Sequence, residues 1–379
     1  MKKLIVLFID DDVFMLKALQ RTARRTKPHW DFYICEHALS WQTALPEGIV
    51  PDAVFCDYLM PQKNGDQVLA EIAATIPSSV RVLLTGDTAE DVVTKVTEIT
   101  HFVLKKPFSG DDLDHVFSCL ERLDSLNFSL DVRNKLGRIG YFFTLPEIVV
   151  QLRALLAIEY VDIGQTVDLI KQEAFIAAKI IQIANSAFLG YSAKTVSLEE
   201  SIKRLGLKLT ETIVVSMAVN NCVASKIPTT VHKRISEWAF NYSSMCRQLS
   251  KSVGFNTGMQ DTVSIAALLT GIGHLALTAE TNQYVNASVE EDYMQVLQEA
   301  SILTVYILTL WGYPIDLCKL ILMQDTPGFN ANILDENKLS LIMFVVKLKL
   351  SGKLEQTEKN TLKTLIVDSK IVDWIEENL

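Results

Sequence analysis

Val54-Phe55-Cys56-Asp57-Tyr58-Leu59-Met60-Pro61 decides how the amino-terminal part of the chain is read. Val54 to Cys56 read as a buried strand, and Asp57 stands at its carboxyl end. A Met-Pro break and the turn residues Asn64-Gly65 follow. In an open parallel α/β sheet, ligands bind in the crevice beyond the carboxyl ends of the strands. An ionised carboxylate there is costly unless a cation compensates it. The residues that converge on Asp57 therefore set the chemistry.

Outward from this stretch, strands and helices alternate. Leu4 to Ile9 is a continuous apolar run, expected of a strand covered on both faces, and it ends in Asp10-Asp11-Asp12. A helix is expected from Val13 to about Thr26. Further strands are expected over Asp31 to Cys35, Val80 to Leu84 and Phe102 to Leu104. Thr88-Ala89-Glu90-Asp91 and Ser109-Gly110-Asp111-Asp112 have the spacing of capping boxes that open helices. Five strands alternating with helices predict a doubly wound parallel sheet.

The polar residues gather at the strand ends: Asp10 and Asp11 on the first, Asp57 on the third, Thr85 on the fourth, Lys106 on the fifth. Three carboxylates brought together repel one another and invite a hard divalent cation. Mg²⁺ fits, because it uses few carboxylates and completes its shell with water and phosphate oxygens. A hydroxyl and an ammonium opposite could hold a phosphoryl group, whose transfer needs mainly positioning and charge neutralisation.

The acid pair, Asp57-x-x-Met-Pro, Thr85-Gly86 and Lys106-Pro107-Phe108, in this order at successive strand ends, resemble the receiver domain of two-component response regulators. The resemblance covers residues 1 to about 122. It implies that Asp57 accepts a phosphoryl group from the phosphohistidine of a sensor kinase or phosphotransfer protein. It also implies that Asp10, Asp11, Asp57 and the backbone carbonyl of Leu59 hold Mg²⁺, with Thr85 and Lys106 on the phosphoryl oxygens. One position departs from the family. Val103 stands where a switch aromatic is usual, and the adjacent Phe102 would point to the other face of the strand.

Residues 123–136 keep a helical apolar pattern and read as a semi-rigid connector, either a continuation of the preceding helix or a second short one. From Gly137 to 379 the strands disappear. Helices are expected from Thr144-Leu145-Pro146-Glu147 onward, over Val167 to Ala184, and from Ser197-Leu198-Glu199-Glu200 to Leu205-Gly206. Others are expected over Trp238 to Ser250, Val263 to Leu277, Met294 to Leu310, Ile315 to Met323, Leu339 to Leu350 and Asn360 to Glu377. Leu145-Pro146-Glu147-Ile148, Ala184-Asn185-Ser186-Ala187-Phe188, Ser201 to Gly206 and Leu310-Trp311-Gly312-Tyr313-Pro314 together resemble the HDOD domain, a relative of the HD metal-dependent phosphohydrolases.

An HD site needs an adjacent His-Asp pair with further His and Asp ligands. No His-Asp dipeptide occurs here, and Thr270 and Gly271 stand where that pair would be. His232 and His274 are the only histidines of this part, too few for a metal site. Gly312-Tyr313-Pro314 matches one piece of the HD-GYP cyclic-dinucleotide phosphodiesterases without the ligands they require. The expectation is a non-enzymatic output that binds another protein, with pairing of two chains as one route. The alternatives are a phosphohydrolase or cyclic-dinucleotide phosphodiesterase with an unorthodox metal site, and a small-ligand sensor.

Bulk properties agree. The 379 residues exceed one ordinary core. At 49% hydrophobic and 21% charged the chain reads as globular, and a formal net charge of -9 argues against general nucleic-acid binding. The basic run Arg21, Arg24, Arg25 and Lys27 reads as a solvated helix end. No run of about 18 apolar residues suggests a membrane span; the nearest are Leu339 to Val346 and Ile302 to Leu310. Six scattered cysteines without a C-x-x-C pair, and no leader pattern, point to a reduced cytoplasmic protein.

Overall fold

The computed structural model describes residues 3–86, 99–139, 146–158, 160–185, 194–223, 226–281, 297–325, 335–351, 360, 363, 366 and 368–378. The chain divides into two compact units, residues 1–144 with Tyr306–Ile315, and residues 145–305 with 316–379.

The first unit is built on a parallel five-stranded sheet of β1 (Ile5–Ile9), β2 (Asp31–Cys35), β3 (Ala53–Asp57), β4 (Val80–Thr85) and β5 (Phe102–Lys105), in the order β2-β1-β3-β4-β5. The doubly wound class expected from the alternation is what forms. Alternate side chains fill the two faces. Phe8 and Phe55 join Phe32, Trp30 and Phe117 in an aromatic cluster on one side. Leu7, Ile9, Val54 and Cys56 pack on the other against Val68, Leu69 and Ile72 of α2 (Gly65–Thr75). Burial on both faces is why these strands are apolar without alternation.

Helix α1 (Val13–Thr26) begins where expected because the Asp12 carboxylate accepts from the N–H groups of Phe14 and Met15. Ser109 and Asp112 form the reciprocal cap that opens α3 (Gly110–Ser125). The capping box at Thr88 lies outside the described residues. The connector resolves into a separate short helix, α4 (Leu130–Leu136). Asn127 adopts a left-handed φ of 52°, and the Ser129 hydroxyl caps the new helix.

β4 carries a buried charge that its sequence neighbours conceal. The guanidinium of Arg81 donates to the carbonyls of Ile99 (2.6 Å), Pro77 and Ser79 (both 3.2 Å) and Gly137 (2.8 Å). Burial pulls its pKa down to about 10, still well above neutrality. Nearby, Asp52 accepts from Arg133 of α4 and from the Ile5 N–H.

The described elements of the second unit are helical: α5 (Glu147–Leu156), α6 (Ile163–Lys171), α7 (Ala174–Ala184), α8 (Leu198–Leu205), α9 (Leu207–Val223), α10 (Thr229–Val253), α11 (Thr257–Thr281), α12 (Leu297–Leu310, only its first part in this unit), α13 (Ile315–Met323), α14 (Asp335–Ser351) and α15 (Ser369–Asn378). Three expectations change. The segment from Val167 to Ala184 is two helices, because Glu173 leaves helical space (φ -107°, ψ 82°) without a proline or glycine to announce it. The segment from Asn360 to Glu377 is not one helix, since Ile366 and Asp368 lie outside helix and the Asp368 carboxylate accepts from Lys370 N–H ahead of α15. Finally, the longest apolar stretch is neither run named from sequence. Thr257–Glu280 is long and apolar enough to cross a membrane, but 83% of its most apolar window is buried inside the protein. Thr144, Leu145 and Met294 lie outside the described residues.

α10 and α11 form a long antiparallel pair, turned at Gly254 in the left-handed region (φ 98°). Several buried polar groups inside the unit pair with one another. The Tyr242 hydroxyl lies between two acceptors, Gln324 Oε1 at 2.7 Å and the Met343 carbonyl at 2.9 Å, Gln324 donates to Ser301, and Ser243 bonds Ser264.

Candidate phosphoacceptor site

Sheet register brings the strand-end residues together. Ile9 pairs with Cys56, so Asp10 and Asp57 emerge side by side. Asp57 pairs with Leu84 and Thr85 with Lys105, which puts Thr85 and Lys106 at the adjoining ends. The Lys106 N–H donates to the Thr85 carbonyl at 2.7 Å, and the Lys106–Pro107 bond is cis.

Lys106 Nζ contacts Asp57 Oδ1 at 2.6 Å and Asp10 Oδ2 at 2.9 Å. The remaining oxygens are also held. Asp57 Oδ2 accepts from the Leu59 N–H at 3.0 Å, and Asp10 Oδ1 accepts from the Asp12 N–H at 2.9 Å. Asp10, Asp57 and Thr85 are buried, whereas Asp11 is exposed at the mouth. One carboxylate oxygen from each of Asp10, Asp11 and Asp57 lies within 4.8 Å of the others. This hard, oxygen-only donor set suits Mg²⁺.

Burial, with the Asp10 charge adding to it, raises the pKa of Asp57 despite the opposing Lys106 ammonium and Leu59 N–H. Burial alone would lower Lys106, but hydrogen bonds and charge from Asp57 and Asp10 leave it raised. The site is thus an acid cluster with less positive charge than negative, which a divalent cation would balance.

The loop after Asp57 is shaped by Gly65. Its N–H donates to the Tyr58 carbonyl at 2.8 Å, and a Cβ there would sit 2.0 Å from the Asp57 carbonyl oxygen. Sequence reading marks Gly65 only as a turn residue. Its stricter role is to let α2 start against the Asp57 backbone. Beside the acids lies an open hollow of about 380 Å³, lined by Asp11, Glu36, His37, Met60 and Gln62. On β5, Val103 packs toward the α2 side of the sheet and Phe102 meets His115 of α3 edge-on at 6.4 Å. The two neighbours do face opposite ways, as the strand period requires.

The chain matches the response regulator receiver domain over residues 6–118 and the HDOD domain over residues 142–327. It is a receiver domain followed by an HDOD domain. The HDOD part is similar to an HDOD domain protein from Geobacter sulfurreducens, at 15% identity over 65% of this chain and 94% of that one, with a TM-score of 0.48. A Shewanella amazonensis protein named as a metal-dependent phosphohydrolase is 18% identical over 68% and 91% of the two chains, also with a TM-score of 0.48. The receiver is similar to the signal receiver domain of an HD domain-containing protein from Pseudomonas fluorescens, at 23% identity over 35% and 99%, with a TM-score of 0.28. No curated protein matches.

Within the HDOD domain, the positions expected to lack metal ligands are tightly packed. The Thr270 hydroxyl donates to the Ala266 carbonyl, and the Thr270 carbonyl accepts from Thr304. A Cβ on Gly271 would lie 2.8 Å from the Ala239 Cβ, and one on Gly273 would lie 2.0 Å from the Ala300 carbonyl oxygen. His274 stacks edge-on against Trp238 at 4.8 Å, and burial pulls its pKa down to about 3, so it is neutral. Asn185, the cap of α7, exchanges two side-chain hydrogen bonds with the Thr195 backbone. Residues 186–188 lie outside the described residues.

Proposed function

We propose that this response regulator accepts a phosphoryl group on Asp57 and signals through an HDOD domain that works by binding another protein. The phosphodonor is the phosphohistidine of a sensor kinase or phosphotransfer protein. A carboxylate oxygen of Asp57 forms the new P–O bond as the P–N bond breaks, and the imidazole leaves. The observation that carries this reading is the double contact of Lys106 with Asp57 and Asp10 beside a three-carboxylate cluster.

Asp10, Asp11, Asp57 and the Leu59 carbonyl would hold Mg²⁺, which when bound neutralises charge on the phosphoryl oxygens. Lys106 then turns from the carboxylates toward a phosphoryl oxygen, and Thr85 offers its hydroxyl to another. The Leu59 N–H keeps the acceptor carboxylate oriented.

Packing at Thr270 and Gly271 supports a binding role for the HDOD domain over hydrolysis, because ligand-bearing side chains there would need the helices to part. The free, buried cysteines 35, 56, 119, 246 and 318 and the nature of the phosphodonor support a cytoplasmic location. The acidic charge speaks against nucleic acid, and the burial of α11 against membrane insertion. Residues 1–122, 123–136 and 137–379 are taken as receiver, connector and output; limited proteolysis would map these boundaries.

The test is incubation with Mg²⁺ and acetyl phosphate, read by intact mass. A single phosphoryl increment on wild type, absent from Asp57→Ala and from samples in EDTA, is expected. No increment on wild type, or an equal one on the variant, overturns the assignment. Metal analysis of the purified HDOD domain tests the hydrolase reading.

A further inference from the structure

Away from the acids, the HDOD unit holds a hollow of about 420 Å³ between α7, α9, α10 and α11. That size lies within the range of small-molecule sites. Its floor is apolar, from Leu209, Ile213 and Leu268, and Ile183 and Phe240 form part of the wall. Of its polar lining, Ser243 is bonded to Ser264 and the Glu237 carboxylate stands at the edge near Lys233, while four further groups are uncommitted. Among the described residues, Lys179, Gln182, Asn241 and Ser244 have no hydrogen-bond or ion-pair partner in the protein, although each lines the hollow. Lys179 is half-buried, and its Nζ lies 4.7 Å from the centre of the Phe240 ring. Burial lowers its pKa, with only partial relief from the charge of Glu237. Glu237 in turn lies 3.8 Å from Lys233 on the exposed side of α10.

A half-buried ammonium, two amide groups and a hydroxyl above an apolar floor, with the single Glu237 carboxylate drawn toward Lys233, have a definite complement. We infer that this hollow binds a small organic anion, a carboxylate or phosphate on a compact apolar or aromatic body. The acidic head pairs with Lys179 and takes N–H and O–H donors from Gln182, Asn241 and Ser244. The body lies against Ile183 and Phe240, the partly exposed apolar residues of the lining. Desolvation by the ligand strengthens the ion pair relative to one in water, and the Phe240 ring keeps the ammonium in place. The site needs no phosphorylation of Asp57, so it stands or falls independently of the receiver chemistry.

Full-length protein is titrated calorimetrically with phenyl phosphate, benzoate and neutral benzyl alcohol. Phenyl phosphate and benzoate distinguish the two acidic heads. Saturable binding of at least one anion is expected, at least tenfold tighter than the alcohol. Lys179→Met, which keeps the stem and removes the charge, should weaken that anion tenfold or more. The double variant Gln182→Ala and Asn241→Ala, on the exposed rim where folding is not at stake, should weaken it several-fold. The inference is overturned if neither anion binds wild type saturably, if benzyl alcohol binds as tightly, or if the rim variant binds like wild type.

Discussion

Lys106 Nζ lies 2.6 Å from Asp57 Oδ1. The lysine thus holds an oxygen of the carboxylate proposed to accept the phosphoryl group. Lys106→Met would leave Asp57 and Asp10 facing each other without a nearby ammonium. We expect a loss of about 1–3 kcal/mol in metal-free stability, partly recovered by Mg²⁺. Thermal unfolding in EDTA and in Mg²⁺ checks both, and an unchanged melting temperature in EDTA would contradict the electrostatic reading.

The pH dependence follows from Asp57. Its folded pKa is raised above the ordinary 3.8, so the native state binds the proton more tightly than the unfolded chain. Its contribution to stability therefore falls as pH rises from 3.8 through the folded value, and the loss is complete above it. Lys106, raised above 10.5, acts at the other end of the scale. Its contribution is fully present below 10.5 and disappears as pH climbs past the folded value. Asp57→Asn should stabilise the metal-free chain by about 1 kcal/mol near neutrality and reduce the stabilising effect of Mg²⁺. Urea unfolding at pH 5 and pH 7.5, with and without Mg²⁺, measures this; a destabilised Asn variant would count against it.

Gly65→Ala places a methyl 2.0 Å from the Asp57 carbonyl oxygen. Relief requires α2 to back away from the acceptor loop, at a cost of about 2–3 kcal/mol. Phosphoryl-mimic binding should weaken alongside stability, since the same backbone carries the Leu59 groups. Beryllofluoride titration followed by tryptophan fluorescence would show whether the two effects travel together.

Arg81→Met removes the donor to four carbonyls. At about 1 kcal/mol for each hydrogen bond, and more where a carbonyl stays dry, the first unit should lose about 3 kcal/mol or more. Amide exchange of α4 should accelerate more than that of α1, because Gly137 loses its tie to the sheet. Equal acceleration throughout would show that Arg81 supports the sheet as a whole instead.

Restoring an HD-like pair by Thr270→His with Gly271→Asp should destabilise the HDOD domain by several kcal/mol and bring no stoichiometric metal. Elemental analysis after dialysis against Mn²⁺, beside a thermal melt, provides the comparison. A folded, metal-loaded variant would show that the helices part readily at this crossing.

Much of the receiver could be read in advance because its information is local. Apolar runs mark strands covered on both faces, and the acids, hydroxyl and lysine sit at the strand ends by sequence alone. The parallel register then converts strand ends into a site without further instruction. What escaped reading depends on contacts distant in sequence. Arg81 sits inside the run Val80 to Leu84, and its carbonyl partners come from residues 77 to 137. The break at Glu173 has no breaker residue to advertise it. The hollow at Lys179 draws on four helices, none of which has a distinctive motif.

Arg81 and Thr85 stand near opposite ends of β4, about 13 Å apart at the usual rise of a strand. One borders the acceptor; the other holds Gly137 by its carbonyl. The chain thus leaves the sheet at the end remote from the acid cluster, with the buried middle of β4 between them. A disturbance at Asp57 would have to cross from β3 to β4 and run the length of that strand before it met the Arg81–Gly137 bond.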